Sequence, residues 1–425
     1  MTQVNRKVIY RLYPSAVQER LLADMLGAHQ RLYNAALQQR IWAYRAQQRT
    51  SVSFADQCKQ LTELRGADPE YNAINAQSAQ VTLKRLDLAF QAFFRRVKAN
   101  KSRPKGKKRR VGFPRFKSYH RFSGWGYKTH GDGWRLFPAP TGQHGKLRLA
   151  GVGLITMRGC PRTPGEPKTL EILHKQGKWY AAITLACKPQ RQAGTQAAGL
   201  DWGVETFATL AVMGGMRDEI ENPRHLRQQL QALKRAQRSL SRKVKGSQRR
   251  EQARQKVAGI HGRIANRRQD FLHQESAKIV KQYGLIATEE LNIVAMTAHG
   301  GKRKRGLNRE VLSTAPSTFL RTLRCKAEEA GVVWFDVPTR TVKPSQTCSQ
   351  CGRQAKKGLT ERIHQCPCGL VCGRDENAAR VMLNWALRST GQELARRGAV
   401  SAGSQDALGT KLIAMKRETP TIALA

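Results

Sequence analysis

Cys348-Ser-Gln-Cys351, then Cys366-Pro-Cys368, then Gly373-Arg374-Asp375-Glu376-Asn377-Ala378-Ala379: two cysteine pairs run straight into an acidic motif. Four thiolates from Cys348, Cys351, Cys366 and Cys368 are the usual tetrahedral complement of a structural zinc. The fourteen residues between the pairs suit a zinc ribbon, whose two knuckles bring distant cysteines together. A closed set of four ligands leaves no open coordination position, so this zinc is expected to hold shape rather than do chemistry. The second pair is one residue tighter than the usual spacing, and Cys372 stands close by as an alternative fourth ligand. Cys58, Cys160, Cys187 and Cys325 are scattered and read as small apolar side chains.

Outward from this stretch, charge narrows the partners. The chain has 425 residues, enough for two to four domains. Lys and Arg number 76 against 30 Asp and Glu, a net charge of +46, and the pI is near 10.8. Such an excess repels itself unless a polyanion neutralises it, which points to nucleic acid. No run is long and apolar enough for a spanning helix, no signal peptide is visible at the first residues, and cysteines used as metal ligands argue for a reducing cytoplasm over secretion.

Position matters more than total. Residues 98–110 hold no acid and include Lys107, Lys108, Arg109 and Arg110. They read either as a basic linker or as a phosphate contact. In residues 113–122 aromatics alternate with cations, among them Arg115, Phe116 and Lys117. Cations on phosphates with aromatic faces on bases suit unpaired nucleic acid. Lys302-Arg303-Lys304-Arg305, bracketed by glycines, reads as a lid or a solvated loop.

Residues 5–12 alternate as a strand. Ser15 and Gln18 form a capping box ahead of a helix. A second helix over 78–98 turns Leu83, Leu86, Phe90, Phe93, Phe94 and Val97 inward. Residues 13–98 are thus a helical insertion in a β-rich domain, whose short Gly- and Pro-punctuated strands between 111 and 190 suit a small barrel. A linker follows at 188–195. From Ala197 an α/β pattern begins, interrupted by a helical hairpin over 223–273 that breaks near 245–247. Its apolar stripe is Leu226, Leu230, Leu233, Leu240 and Val244, then Val257, Ile260, Ile264 and Phe271. Solvated faces are usually mixed in sign, so its one-signed surface, with Arg242, Lys243, Lys245, Arg249 and Arg250 around the break, favours phosphate. Beyond about Arg388 periodicity fades.

In a chain this basic, acids at strand ends stand out, Asp201 in Gly-Leu-Asp-Trp-Gly and Glu289 before Glu290-Leu291-Asn292, together with Asp375, which precedes a helix opened by Asn377-Ala378-Ala379. Functional groups collect at the carboxyl ends of strands in open α/β sheets. Three carboxylates brought together raise one another's pKa unless cations intervene. Two divalent ions about 3.5–4 Å apart can sit between such groups and clamp a phosphodiester displacement. Mg2+ or Mn2+ suits the oxygens as zinc suits the sulphurs.

The chain resembles the TnpB (OrfB-type) proteins of insertion sequences, themselves related to type V CRISPR effectors. The resemblance is carried by Tyr10-Arg-Leu-Tyr-Pro14 with Gln18, by Tyr33-Asn34 and by Gly112-Phe-Pro-Arg-Phe-Lys117. It continues through Gly199-Leu-Asp-Trp-Gly203, Glu289-Glu-Leu-Asn292, Ser345-Gln-Thr-Cys-Ser-Gln-Cys-Gly352 and Arg374-Asp-Glu-Asn-Ala-Ala379. It implies an α/β multidomain fold, with an RNase H-like (RuvC) nuclease domain carrying an inserted zinc ribbon, a β-barrel wedge domain and a helical recognition domain. The implied boundaries are 1–12 and 106–195 for the wedge, 13–105 for recognition, and 196–347 for the nuclease domain with its basic hairpin at 222–273. The ribbon is 348–372, the third nuclease motif and its helix 373–388, and 389–425 a disordered tail. The catalytic metal ligands implied are Asp201, Glu289 and Asp375, with Glu289 preferred to Glu290 because one variable residue precedes Leu-Asn in the family. The implied activity is RNA-guided cutting of double-stranded DNA beside a short motif, with a guide RNA from the transposon end, Mg2+ or Mn2+, and zinc. A monomer is favoured. Alternatives are a nuclease-dead RNA-guided repressor, which should have lost an acid, and a strand-joining transposase, whose acids differ in order. One departure is Gly373 where the family commonly has Asp.

Overall fold

Residues 3–46, 50–104, 106, 108–139, 144–158, 165–298, 300–358 and 361–396 are described by a computed structural model. Lys107, Cys160 and 397–425 lie outside the described residues, as do the side chains of Lys302 and Arg303. The chain divides into Met1–Lys188 and Pro189–Ala425, the second unit starting within the expected linker.

In the first unit, β1 (Val4–Tyr13) leads through Pro14-Ser15 into α1 (Ala16–Arg45). The capping box forms as expected: the Ser15 N–H donates to Gln18 Oε1 at 3.0 Å and the Gln18 N–H to Ser15 Oγ at 3.3 Å. Then come α2 (Phe54–Ala67), α3 (Pro69–Ala73) and α4 (Ala76–Lys101). The remaining strands are β2 (Gly124–Tyr127), β3 (Trp134–Phe137), β4 (Lys146–Leu149), β5 (Gly153–Met157), β6 (Glu166–Lys175) and β7 (Lys178–Cys187). They form one antiparallel sheet in the order β2-β6-β7-β1-β5-β4-β3. β1 gives its first eight residues to β7 and its last two to β5, so a single strand joins both halves and the sheet curls toward a barrel. The helical insertion lies where the sequence places it, between β1 and β2. α2 and α3 went unread because few of their residues are buried and their apolar stripe is correspondingly faint.

His29 sits at the centre of this unit, fully buried and stacked on Trp125 with centroids 5.4 Å apart. Its Nδ1 meets Thr82 Oγ1 at 2.9 Å and its Nε2 meets Ser78 Oγ at 3.3 Å. Burial, helped by the Arg85 charge, lowers its pKa from 6.5 to about 3. The unfolded chain therefore takes up this proton first. The stabilisation is complete above 6.5 and is lost as pH falls below it, by about 1.4 kcal/mol per pH unit. Thermal melts between pH 7 and 5 should show a shallower decline for His29→Gln than for the parent; parallel curves would refute this.

The second unit opens with β8 (Gln196–Trp202), β9 (Thr206–Val212) and β10 (Arg217–Glu221), then α5 (His225–Ser241) and α6 (Gln248–Gln282). β11 (Tyr283–Glu289), α7 (Ile293–Met296), α8 (Lys302–Thr314), α9 (Pro316–Ala330), β12 (Val333–Val337) and α10 (Thr339–Val342) follow. A short hairpin of β13 (Ile363–Gln365) and β14 (Val371–Gly373) leads into α11 (Arg374–Arg396). The main sheet is β10-β9-β8-β11-β12, antiparallel across its first three strands and parallel from β8 to β12. Strand alternation sorts its faces. Ala198, Leu200 and Ile286 pack with Leu272, Ile279 and Phe319 of α6 and α9. Ala197, Leu285, Ala287 and Val337 pack with Met382, Leu383 and Ala386 of α11.

Four expectations are corrected. The basic stretch from Lys302 begins a helix rather than a loop: Lys and Arg are good helix formers, and the helix runs on through Gly306 to Thr314. α11 runs to Arg396, eight residues beyond the expected end, its last turns being less apolar. Phe94, expected inside, is 61% exposed, since α4 has only one face to bury and Phe90 occupies it. Val244 lies in the turn between α5 and α6 and is 77% exposed, while Leu233, Ala236, Ile260 and Ile264 seal the hairpin.

Candidate functional site

Strand parity decides where two of the three acids point. Ala197 faces α11 and Ala198 the opposite side, so residues 199 and 201 return to the α11 face. On β11, Leu285 and Ala287 face α11, and Glu289 follows them. β8 and β11 are parallel neighbours with Leu200 opposite Thr288, so Asp201 and Glu289 emerge side by side at the carboxyl ends. Glu290, one residue on, is exposed and lines a separate groove with Asn292 and Thr339. Asp375 is the second residue of α11, the helix covering that same face.

The three are electrostatically joined. The Asp201 carboxyl is pushed well above its ordinary value, first by burial, then by the charges of Glu289 and Asp375, with Arg374 offsetting them. Burial likewise raises Glu289. Glu376, beside Asp375, is already neutralised by Arg217 at 3.1 Å and Arg380 at 2.6 Å. It is therefore a structural acid. At Gly373 a Cβ would meet Arg217 Nη1 at 3.6 Å and Glu376 Oε2 at 3.8 Å, ordinary contacts, so the position is not held to glycine by crowding.

The rest of the acidic motif explains how Asp375 is placed. Ala378 and Ala379 are buried, and Gly199 of β8 lies so close that a Cβ there would meet the Ala379 carbonyl oxygen at 2.0 Å. Small residues on both elements let the helix lie against the strand. Asn377 is fully buried, donates to the Thr347 carbonyl at 2.7 Å and accepts from the Ser349 N–H at 2.9 Å. Asn384 adds a bond to the Ser349 carbonyl at 2.9 Å. Arg374 Nη1 reaches back to the Gly358 carbonyl at 2.7 Å. The cysteine module is thereby fastened to the helix that carries the third acid. The clamping role of Asn377 was missed from sequence, although the motif itself was in view.

Four sulphurs gather in that module. Cys348, Cys351, Cys366 and Cys368 place their Sγ atoms within 4.8 Å of one another, with Cys348 to Cys368 at 3.7 Å and Cys351 to Cys366 at 3.5 Å. Zinc with bonds of about 2.3 Å sets tetrahedral sulphurs about 3.8 Å apart, so the cluster fits that ion. Among the described residues no other group of three or more such donors gathers as tightly, the three carboxylates included. Cys372 stands outside the cluster, so Cys366 completes it despite the short spacing. Burial opposes ionisation of Cys348, yet the Cys351 and Gln350 N–H groups and His364 bring its thiol down to about 6.

The expected nucleic-acid contacts separate. Lys108, Arg109, Arg110, Arg115 and Phe116 are exposed. Lys117 is turned inward: its Nζ lies 4.5 Å from the Tyr33 ring centroid, and burial lowers its pKa. Its backbone is held by Asn34, whose Nδ2 donates to the Lys117 carbonyl at 3.0 Å and whose Oδ1 accepts its N–H at 2.9 Å. Tyr33-Asn34 and Lys117 are thus two halves of one structural lock. Arg242, Lys243, Lys245 and Arg249 are exposed around the turn between α5 and α6. Arg250 is spent on the carbonyls of Lys243 at 2.8 Å and Leu240 at 3.1 Å, shaping that turn.

Residues 176–299 match a family described as "Probable transposase" (OrfB of IS605), and residues 317–382 match a "Cas12f1-like, TNB domain". Residues 1–49 match a "Helix-turn-helix domain"; the described residues among them form β1 and the single helix α1. A Streptomyces pristinaespiralis protein, provisionally named an RNA-guided DNA endonuclease, is 31% identical over 397 residues and 90% of each chain. InsQ of Escherichia coli K12, named in the same way, is 27% identical over 88% of this chain and 90% of its own. In fold, the chain is similar to the protein in a Cas12f1–sgRNA–target DNA complex, with a TM-score of 0.51 and 12% identity over 90% of this chain and 99% of that one. With close to a third of positions shared along nine-tenths of both chains, and the family's motifs in their order, the chain belongs to the TnpB (OrfB-type) family.

Proposed function

We propose that this protein is an RNA-guided DNA endonuclease that cuts double-stranded DNA through a RuvC-like, divalent-metal-dependent site. The observation that carries the reading is the convergence of Asp201, Glu289 and Asp375 on one face of the sheet, with Asp201 raised by the other two charges. The strand order β10-β9-β8-β11-β12 suits an RNase H-like domain. Mg2+ or Mn2+ bound there would supply charge neutralisation and an activated water for phosphodiester hydrolysis. The chain's own part is to hold three oxygen donors together against their repulsion, to bury Asp201, and to keep Arg374 beside it. The first unit supplies the wedge and recognition helices, which bind the guide RNA and the duplex beside the target. Base pairing carries the sequence specificity while cations hold the backbone.

The deciding experiment is co-expression with the native transposon end, followed by Mg2+-dependent cleavage of a plasmid library randomised beside the target. Cutting of both strands next to one short motif is expected; RNA-dependent DNA binding without cutting would leave a repressor instead.

The cysteine cluster is a structural zinc ribbon in this reading. Metal analysis should find one zinc per chain, lost in Cys368→Ser and kept in Cys372→Ser. Equal zinc in both variants would refute the assignment.

A further inference from the structure

Where the end of α4 meets residues 109–117, aromatic rings lie at the surface of the first unit. Phe90 is buried, but Phe94 is 61% and Phe113 45% exposed, and Phe116, three residues on, is 50% exposed. Phe113 sets its edge against Phe93 at 5.1 Å and against Phe90 at 5.4 Å. Phe94 stacks beside Phe90 at 6.2 Å. The segment is pinned to the helix: Asn100 Nδ2 donates to the Arg109 carbonyl and its Oδ1 accepts the Arg109 N–H, both at 2.9 Å, and Arg96 donates to the Gly112 carbonyl at 3.1 Å. The rings are therefore held in place before anything binds. No acid stands between Asp87 and Asp132, while Arg95, Arg109, Arg110 and Arg115 are exposed around the patch.

We propose that Phe94 and Phe113 form a stacking platform for unpaired nucleobases, rimmed by cations that take the phosphates. The proposal rests on the RNA partner assigned above and narrows it to single-stranded or looped segments, because a duplex hides its base faces. Exposed aromatics ringed by one sign of charge match a polyanion with planar groups. The test uses the full chain and two probes, a short oligouridine and a blunt RNA duplex with as many phosphates, measured by fluorescence anisotropy. Phe94→Leu and Phe94→Ala should weaken oligouridine about tenfold, as expected for one lost stacking contact, and leave the duplex within about twofold. Equal loss on both probes, or loss on neither, would overturn the platform. So would a change in self-association with oligouridine binding intact, which would make the patch a protein contact. A parent chain that binds neither probe would instead sink the RNA reading itself.

Discussion

Asp201→Asn is expected to make the metal-free protein more stable while lowering Mg2+-dependent cleavage by about a thousandfold or more, the several kcal/mol a metal-centred site supplies. In the fold the Asp201 carboxyl sits well above its ordinary 3.8, held there by burial and by Glu289 and Asp375. A carboxyl with a raised folded pKa loses its proton more readily when unfolded. Stability therefore declines as pH rises from the unfolded value toward the folded one. The amide carries no charge and escapes that decline, so at neutral pH the variant should melt higher than the parent without metal. Mg2+ should then raise the parent's melting temperature and leave the variant's nearly unchanged, because binding to the native state stabilises it. Identical metal-free melts across pH would show that the three carboxylates do not share a site.

Gly199→Ala should be nearly as damaging, for a purely steric reason. The new methyl would sit 2.0 Å from the Ala379 carbonyl oxygen and 2.8 Å from the Leu383 nitrogen, both backbone atoms that cannot swing aside. α11 would have to lift off β8, at a cost of about 3 kcal/mol, carrying Asp375 away from Asp201. Loss of cleavage with a lowered denaturant midpoint is expected. Gly259→Ala, where nothing lies within 4 Å of the added methyl, is the control; in mid-helix it should be neutral or stabilising by about 1 kcal/mol. A Gly199→Ala chain that cuts as well as the parent would mean that the helix does not need to lie this close.

What could be read from the chain and what could not divide along physical lines. Strand β1, helices α1 and α4 and the hairpin of α5 and α6 were legible because burial on one side imposes a period of 2 or 3.6 on the sequence. The capping box at Ser15 was legible because it is local. The two cysteine pairs announced their cluster, but the choice of Cys366 over Cys372 needed coordinates, since spacing does not say which sulphur the turn delivers. Asp201, Glu289 and Asp375 were found as motifs, and their shared face follows from parity only once the registers are known. Phe94 and Lys117 were misplaced because a side chain's exposure depends on which neighbour arrives first. Phe90 took the interior position, and Tyr33 captured the ammonium. α8 was unread because its basic opening turn resembles a solvated loop.

The final acid arrives on α11, long after the basic surfaces of both units have been made. A polypeptide cut short before Asp375 would lose, along with the third carboxylate, the helix that covers Ala197, Leu285, Ala287 and Val337. Synthesis of the second unit and completion of its acidic triad therefore finish together, so that a half-made product is not a half-armed nuclease.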